Sequence, residues 1–242
     1  MKGGAWDETS DREGFLFVAP DGLPFRPEAA PNFLTNPNLW NSGALREGSA
    51  RAAIDDVSFV KALLADVRKR TPFDPTRLFV TGHSNGGGMT FLLAEKLADR
   101  IAAVATVSGL LAAESPRPAR PVPTLYILGT EDPLTPPAGG ESRLPWGKRT
   151  TKPVAEYLAA WAKAIRCDPQ PVTVSNAKGV QTVEYRPPGD GPRLRVLYVE
   201  GQGHAWPGGR DPMLARRAMG PVTHSLDATK TIWAFFAAGG RP

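Results

Sequence analysis

The chain has 242 residues, of which 41% are hydrophobic, and a net charge of +5 from 29 basic and 24 acidic side chains. That size and apolar content suit a single α/β domain over residues 1–242 and exclude a disordered or fibrous chain. The basic residues are scattered rather than striped, so no nucleic-acid partner is expected; no run of about 18 apolar residues announces a membrane span; and the single cysteine, Cys167, excludes an internal disulfide and a cysteine-based zinc site.

In chain order, the N-terminal residues carry no apolar h-region, so no signal peptide is read there. Phe15 to Ala19 is a continuous apolar run closed by Pro20-Asp21-Gly22, which predicts a buried parallel strand and a turn. Residues 23–50 read as loop, with Trp40 in the middle. Asp55-Asp56 opens a helix whose Val57, Val60, Leu63, Leu64 and Val67 share one face, with Arg68, Lys69 and Arg70 at its end as the macrodipole prefers. Neither acid is expected to hold a metal, because no third ligand lies near them in the sequence. Arg77 to Thr81 predicts a strand, and Met89 to Leu97 a helix. Further strands are expected at 101–107, 124–129 and 194–199, with a hairpin of 171–175 and 180–186 turning at Asn176 to Gly179. Residues 133–150 read as a loop containing Trp146. One helix is expected over 152–165, with Val154, Leu158, Trp161 and Ile165 inward, and a last helix is capped by Asp227, with Ala228, Ile232, Phe235 and Phe236 inward. Strands separated by helices predict a mostly parallel sheet covered on both faces, with ligands bound beyond the carboxyl ends of the strands.

The strand at 77–81 runs into Gly82-His83-Ser84-Asn85-Gly86, a G-x-S-x-G pentapeptide in the strand–turn–helix setting that a nucleophile elbow requires. Gly82 and Gly86 are expected for steric reasons, and Gly86-Gly87-Gly88 for close packing of the helix on the sheet. A serine hydroxyl needs a base in reach, and that base needs an anchor. Of three histidines, His83 belongs to the elbow itself and is read as pointing away from the hydroxyl, and His224 precedes a helix and suits a surface or capping role. His204, in a glycine-rich loop after a strand, is the candidate base. Asp132, three residues past its strand and followed by Pro133, is the candidate acid, with Glu131 the neighbouring rival. The order Ser84, Asp132, His204 is that of α/β hydrolases. The N–H of Asn85 is the candidate oxyanion donor; for a second donor the early region offers only Gly3-Gly4. Trp206 and Trp40 are candidates for substrate contact, with loop packing the other use open to each.

These residues resemble the polyhydroxybutyrate-depolymerase-like esterases of the α/β-hydrolase superfamily, the group that also holds bacterial lipoprotein-type esterases and many feruloyl and acetylxylan esterases. The resemblance is carried by Gly82 to Met89, Gly129-Thr130-Glu131-Asp132-Pro133 and Gly201 to Gly209, and by Gly14-Phe15 through Gly22 and Asp55-Asp56-Val57. It implies an α/β-hydrolase fold with Ser84 as nucleophile, Asp132 as acid and His204 as base. The sequence departs from the group in three ways. Met1 comes after the early strand that ends in a His-Gly turn, so the usual first strands read as truncated. The paired cysteines are reduced to Cys167, and no export signal is seen.

The function this predicts is that of a serine carboxylesterase needing no cofactor or metal. It would act on small or oligomeric esters: hydroxyalkanoate oligomers, feruloyl or acetyl polysaccharide esters, or short acyl esters. The alternatives are a peptidase or dienelactone-type hydrolase of the same fold, or a non-catalytic binding protein built on it.

Overall fold

The structure is a computed structural model that describes residues 5–32, 35–45, 50–144, 147–190, 194–209 and 216–239. In chain order its elements are α1 (Trp6–Glu13), β1 (Leu23–Pro24), β2 (Asn38–Leu39), α2 (Asp56–Arg70), β3 (Phe79–His83), α3 (Asn85–Lys96), β4 (Ala103–Val107) and β5 (Thr124–Gly129). They continue with β6 (Gly140–Leu144), β7 (Gly147–Thr151), α4 (Val154–Ala164), β8 (Val172–Ala177), β9 (Val180–Tyr185), β10 (Leu194–Val199), α5 (Arg216–Met219) and α6 (Ala228–Ala237).

Six strands form the central sheet in the order β3-β4-β5-β10-β9-β8. The first four run parallel, and β9 and β8 add an antiparallel hairpin at the far edge. The parallel strands are mostly apolar because the sheet is covered on both faces. β4 and β5 are buried at every position. On one face lie α3 and α4, where Phe91, Leu158 and Trp161 pack around Tyr126 and Val196. On the other lie α1 and α6, where Trp6, Ile232 and Phe236 pack against Ala105, Leu125 and Val199. The two capped helices follow local side-chain chemistry: Asp55 accepts from the Ser58 N–H at the start of α2, and Asp227 from the Lys230 N–H at the start of α6.

The segment 15–19 is not a strand. It runs over the surface with Leu16 50% and Val18 43% exposed, while Phe15 and Phe17 turn inward. Phe15 stacks on Trp233 at 4.1 Å, and Phe17 on Trp6 at 6.0 Å. A five-residue apolar run satisfies a strand pattern, but a ladder needs a partner backbone. Here β3 is the end of the sheet, and among the described residues no strand pairs with its outer edge. The run therefore anchors itself by alternate aromatic side chains. The apolar face of α2 is only half-buried, and Phe59 stays exposed beside Trp40.

Two further differences have local causes. The stretch 133–150 contains the hairpin β6–β7, which the sequence hides because Gly-Glu-Ser-Arg-Leu and Gly-Lys-Arg-Thr-Thr lack apolar alternation. Helix α1 is polar along most of its length and is held by two buried side chains, Trp6 and Thr9. Trp146, read from the sequence as part of the 133–150 loop, lies outside the described residues.

Candidate active site

β3 ends in Gly82-His83, and α3 begins at Asn85, so the whole reversal of direction falls on Ser84. Its backbone sits at φ +55°, ψ −118°, a conformation that a side-chain-bearing residue rarely adopts. The turn is tight enough that a Cβ on Gly82 would lie 2.2 Å from the Gly86 carbonyl oxygen. The steric demand is one-sided, however: a Cβ on Gly86 would meet nothing within 4 Å, which corrects the expectation that both glycines are needed. The close approach of helix to sheet rests on Gly87, whose Cβ would come within 2.3 Å of Thr106 Oγ1.

The loops after β5 and β10 lie next to this turn because those strands follow β4 in the same parallel ladder. Ser84 Oγ is 2.8 Å from His204 Nε2, and His204 Nδ1 is 2.8 Å from Asp132 Oδ2 and 2.9 Å from Oδ1. The structure thus brings together the three residues singled out in the sequence. A carboxylate has no proton to donate at this pairing, so His204 Nδ1 carries the hydrogen, Nε2 is the acceptor, and the Ser84 hydroxyl donates to it. Asp132 Oδ1 also accepts the N–H groups of Leu134 and Thr135 at 2.9 and 2.8 Å. Burial works against ionisation of Asp132. The bond to His204 and the Thr135 N–H overcome that and hold the carboxyl below its ordinary value. Gln202, fully buried, fixes the loop that carries His204. It donates to the Ala205 carbonyl at 2.8 Å and accepts from the Thr223 N–H at 2.9 Å.

His83 is not idle. Its Nε2 lies 2.5 Å from the main-chain oxygen of His204, and its ring centroid is 4.9 Å from that of His204. Burial pushes its pKa down from 6.5 to about 4. Nearby His204 adds to the shift, and the bond to the His204 carbonyl and the Asp132 charge only partly oppose it. Between those two values the unfolded chain binds a proton that the folded chain refuses. Stability is therefore expected to fall as pH drops from 6.5 through about 4, by up to roughly 3 kcal/mol. The lowered Asp132 carboxyl adds a further loss in more acid solution, as pH falls through its folded-state value. Urea unfolding across this range should show the slope in the wild type and a flatter one in His83→Gln.

The strip at 40–42 is tied to the elbow by a side chain that the sequence reading used only for its backbone. Asn85 Oδ1 accepts from the Trp40 N–H at 2.7 Å, and Asn85 Nδ2 donates to the Trp40 carbonyl at 3.0 Å. Behind the strip is a buried ion pair, Arg51 NH2 to Asp56 Oδ2 at 2.8 Å, with 1% and 5% side-chain exposure. Arg51 also donates to the Leu39 carbonyl at 2.8 Å, and Asp56 accepts from the Asn41 N–H at 2.6 Å. So Asp55 is the helix cap, and Asp56 instead turns inward; Arg51 stands in a polar stretch with no periodicity to mark it. Asp56→Ala would leave the Arg51 charge buried without its carboxylate and is expected to cost about 3–5 kcal/mol in chemical unfolding.

The two tryptophans are both engaged with protein. Trp40 stacks on Phe59 at 6.1 Å. Trp206 donates from Nε1 to Thr229 Oγ1 at 3.1 Å and meets His83 edge-on at 6.2 Å and Trp6 at 6.4 Å. His224 is exposed, and Gly3-Gly4 lie outside the described residues. Among the described residues no cluster of His, Cys, Asp and Glu is arranged to hold a metal ion, and no helix is long and apolar enough to cross a membrane.

No protein-family model matches the chain. It is 30% identical over 200 residues to NocK of Nocardia uniformis subsp. tsuyamanensis, a protein named as an esterase, covering 76% of this chain and 58% of that one. It is 33% identical over 157 residues to feruloyl esterase B of Piromyces equi, covering 62% of this chain and 29% of that one. The chain thus spans less than two thirds of the length of either relative. Among solved structures it is similar to acetyl xylan esterase from Aspergillus awamori, with a TM-score of 0.51 at 15% identity, covering 83% of this chain and 76% of that one. That likeness is one of fold.

Proposed function

We propose that this chain, an α/β hydrolase by fold and a relative of esterases by sequence, is a serine carboxylesterase working through an acyl-enzyme on Ser84. The single observation that carries the reading is the hydrogen-bond chain from Ser84 Oγ to His204 Nε2 at 2.8 Å and from His204 Nδ1 to Asp132 at 2.8 Å. Ser84 Oγ attacks the ester carbonyl carbon while His204 Nε2 takes its proton. Asp132, ionised, keeps the imidazole in the tautomer that can do so and stabilises the cation that forms. The oxyanion lies against the first N–H groups of α3, of which Asn85 is the foremost. Collapse of the tetrahedral adduct breaks the C–O bond, and His204 returns the proton to the departing alcohol. Water then attacks the acyl-serine, with His204 again taking a proton, and the acid is released.

The relatives named as esterase and feruloyl esterase support feruloyl esters as one candidate substrate class; acetyl polysaccharide esters, hydroxyalkanoate oligomers and short acyl esters are the others that the family resemblance of the sequence suggests. Trp40, bonded to Asn85, and Trp206, against His83, are proposed to border the bound ester. Labelling with a fluorophosphonate together with p-nitrophenyl acetate, butyrate and methyl ferulate assays tests the reading. Labelling with ester turnover is expected. Folded protein that neither labels nor turns over would instead be a binding protein, and peptide cleavage exceeding ester cleavage would point to a peptidase.

A further inference from the structure

His204 is held at four points. Its ring is fixed by Ser84 and Asp132, its N–H donates to the Met219 carbonyl at 2.5 Å, and its carbonyl oxygen lies 2.5 Å from His83 Nε2. A carbonyl only accepts, so His83 must carry a hydrogen on Nε2. Trp206 meets the His83 ring edge-on at 6.2 Å and limits its rotation. His83 is also the residue immediately before Ser84. Two consecutive residues of one elbow therefore grip the same histidine, one by its ring and the other by its main chain.

These two grips do not last equally long. Once Ser84 Oγ carries an acyl group it has no proton to donate, and its bond to His204 Nε2 is lost. At that stage Asp132 alone holds the ring, and a main chain free to shift would carry Nε2 off the line of the attacking water. The His83 bond is untouched by acylation. We propose that His83 is a positioning residue whose Nε2–H holds the His204 main chain in place through the acyl-enzyme, so that it serves deacylation more than acylation.

This rests on the esterase reading above, and the experiment separates the two. Pre-steady-state hydrolysis of p-nitrophenyl acetate by wild type, His83→Phe and His83→Gln gives the acylation and deacylation rates separately. Phe keeps the bulk without a donor; Gln restores an N–H at similar reach. The expected result for His83→Phe is acylation little changed and deacylation slower by about 10²-fold, the scale of an ångström-sized misplacement. A burst approaching one equivalent should accompany it, with most of the deacylation rate recovered in His83→Gln. Equal slowing of both steps, no slowing, or no recovery with Gln overturns the proposal. Wild type that fails to label with fluorophosphonate or to turn over sinks the esterase reading instead. A second measurement needs neither variant nor substrate: nitrogen-15 spectra of the wild-type imidazoles at neutral pH. A hydrogen on His83 Nε2 supports the proposal even if His83→Phe does not fold, and the Nδ1–H tautomer, with Nε2 bare, overturns it.

Discussion

Ser84→Ala is expected to lower kcat for p-nitrophenyl butyrate by about 10⁶-fold, the loss seen when the nucleophile of a hydrogen-bonded serine–histidine–acid set is removed. The chain keeps its Cβ at this position, so the elbow is unchanged; what disappears is the only atom able to form the acyl bond and the hydroxyl that donates to His204 Nε2 at 2.8 Å. Residual turnover would come from the N–H groups at the start of α3 and from binding. Stability should barely move in Ala, because φ +55° is as unfavourable for alanine as for serine. Ser84→Gly should abolish activity equally and raise the unfolding midpoint, since glycine adopts that backbone without penalty. The paired measurement is therefore activity and thermal unfolding on both variants. A folded Ser84→Ala enzyme retaining more than about a hundredth of wild-type turnover would remove Ser84 from the mechanism.

How much of this the sequence discloses depends on what kind of contact is asked for. Strands β4, β5 and β10 are legible because burial on both faces demands largely apolar runs, and these three have them, interrupted by Thr106, Thr124 and Arg195. Ser84, Asp132 and His204 are legible as a set because each stands just past such a run, and a parallel ladder brings those ends to one rim. The run at 15–19 obeys the same pattern and is no strand. Periodicity reports which side chains seek burial, and it does not report whether a neighbouring backbone is there to pair with. The hairpin β6–β7 fails in the opposite sense, since its ladder forms without apolar alternation. Contacts between a side chain and a distant main chain leave no pattern at all. Asn85 on Trp40, Gln202 on Ala205, Asp56 on Asn41 and His83 on His204 all depend on loops whose course only the structure gives. A neighbour of the nucleophile, set aside in the sequence as a candidate base, can therefore still have a bond to the candidate base that no sequence reading suggests.

The surroundings of Asp132 dictate a second large effect. Asp132→Asn is expected to lower kcat by about 10⁴-fold in a folded protein, through the wrong imidazole tautomer rather than through lost contact. Oδ1 receives the Leu134 and Thr135 N–H groups at 2.9 and 2.8 Å, and a buried amide NH2 cannot face two donors. The asparagine oxygen must take that side, which turns its NH2 toward His204. There the amide donates where the carboxylate accepted, Nδ1 becomes an acceptor, and the imidazole hydrogen moves to Nε2. Nε2 then points a hydrogen at Ser84 Oγ and has no lone pair to accept its proton. Nitrogen-15 spectra of His204 should show this change from Nδ1–H to Nε2–H alongside the fall in kcat. Loss of turnover with the Nδ1–H tautomer intact would mean that Asp132 acts by its charge alone. Turnover within tenfold of wild type would mean that another carboxylate, with Glu131 the nearest in sequence, anchors the base.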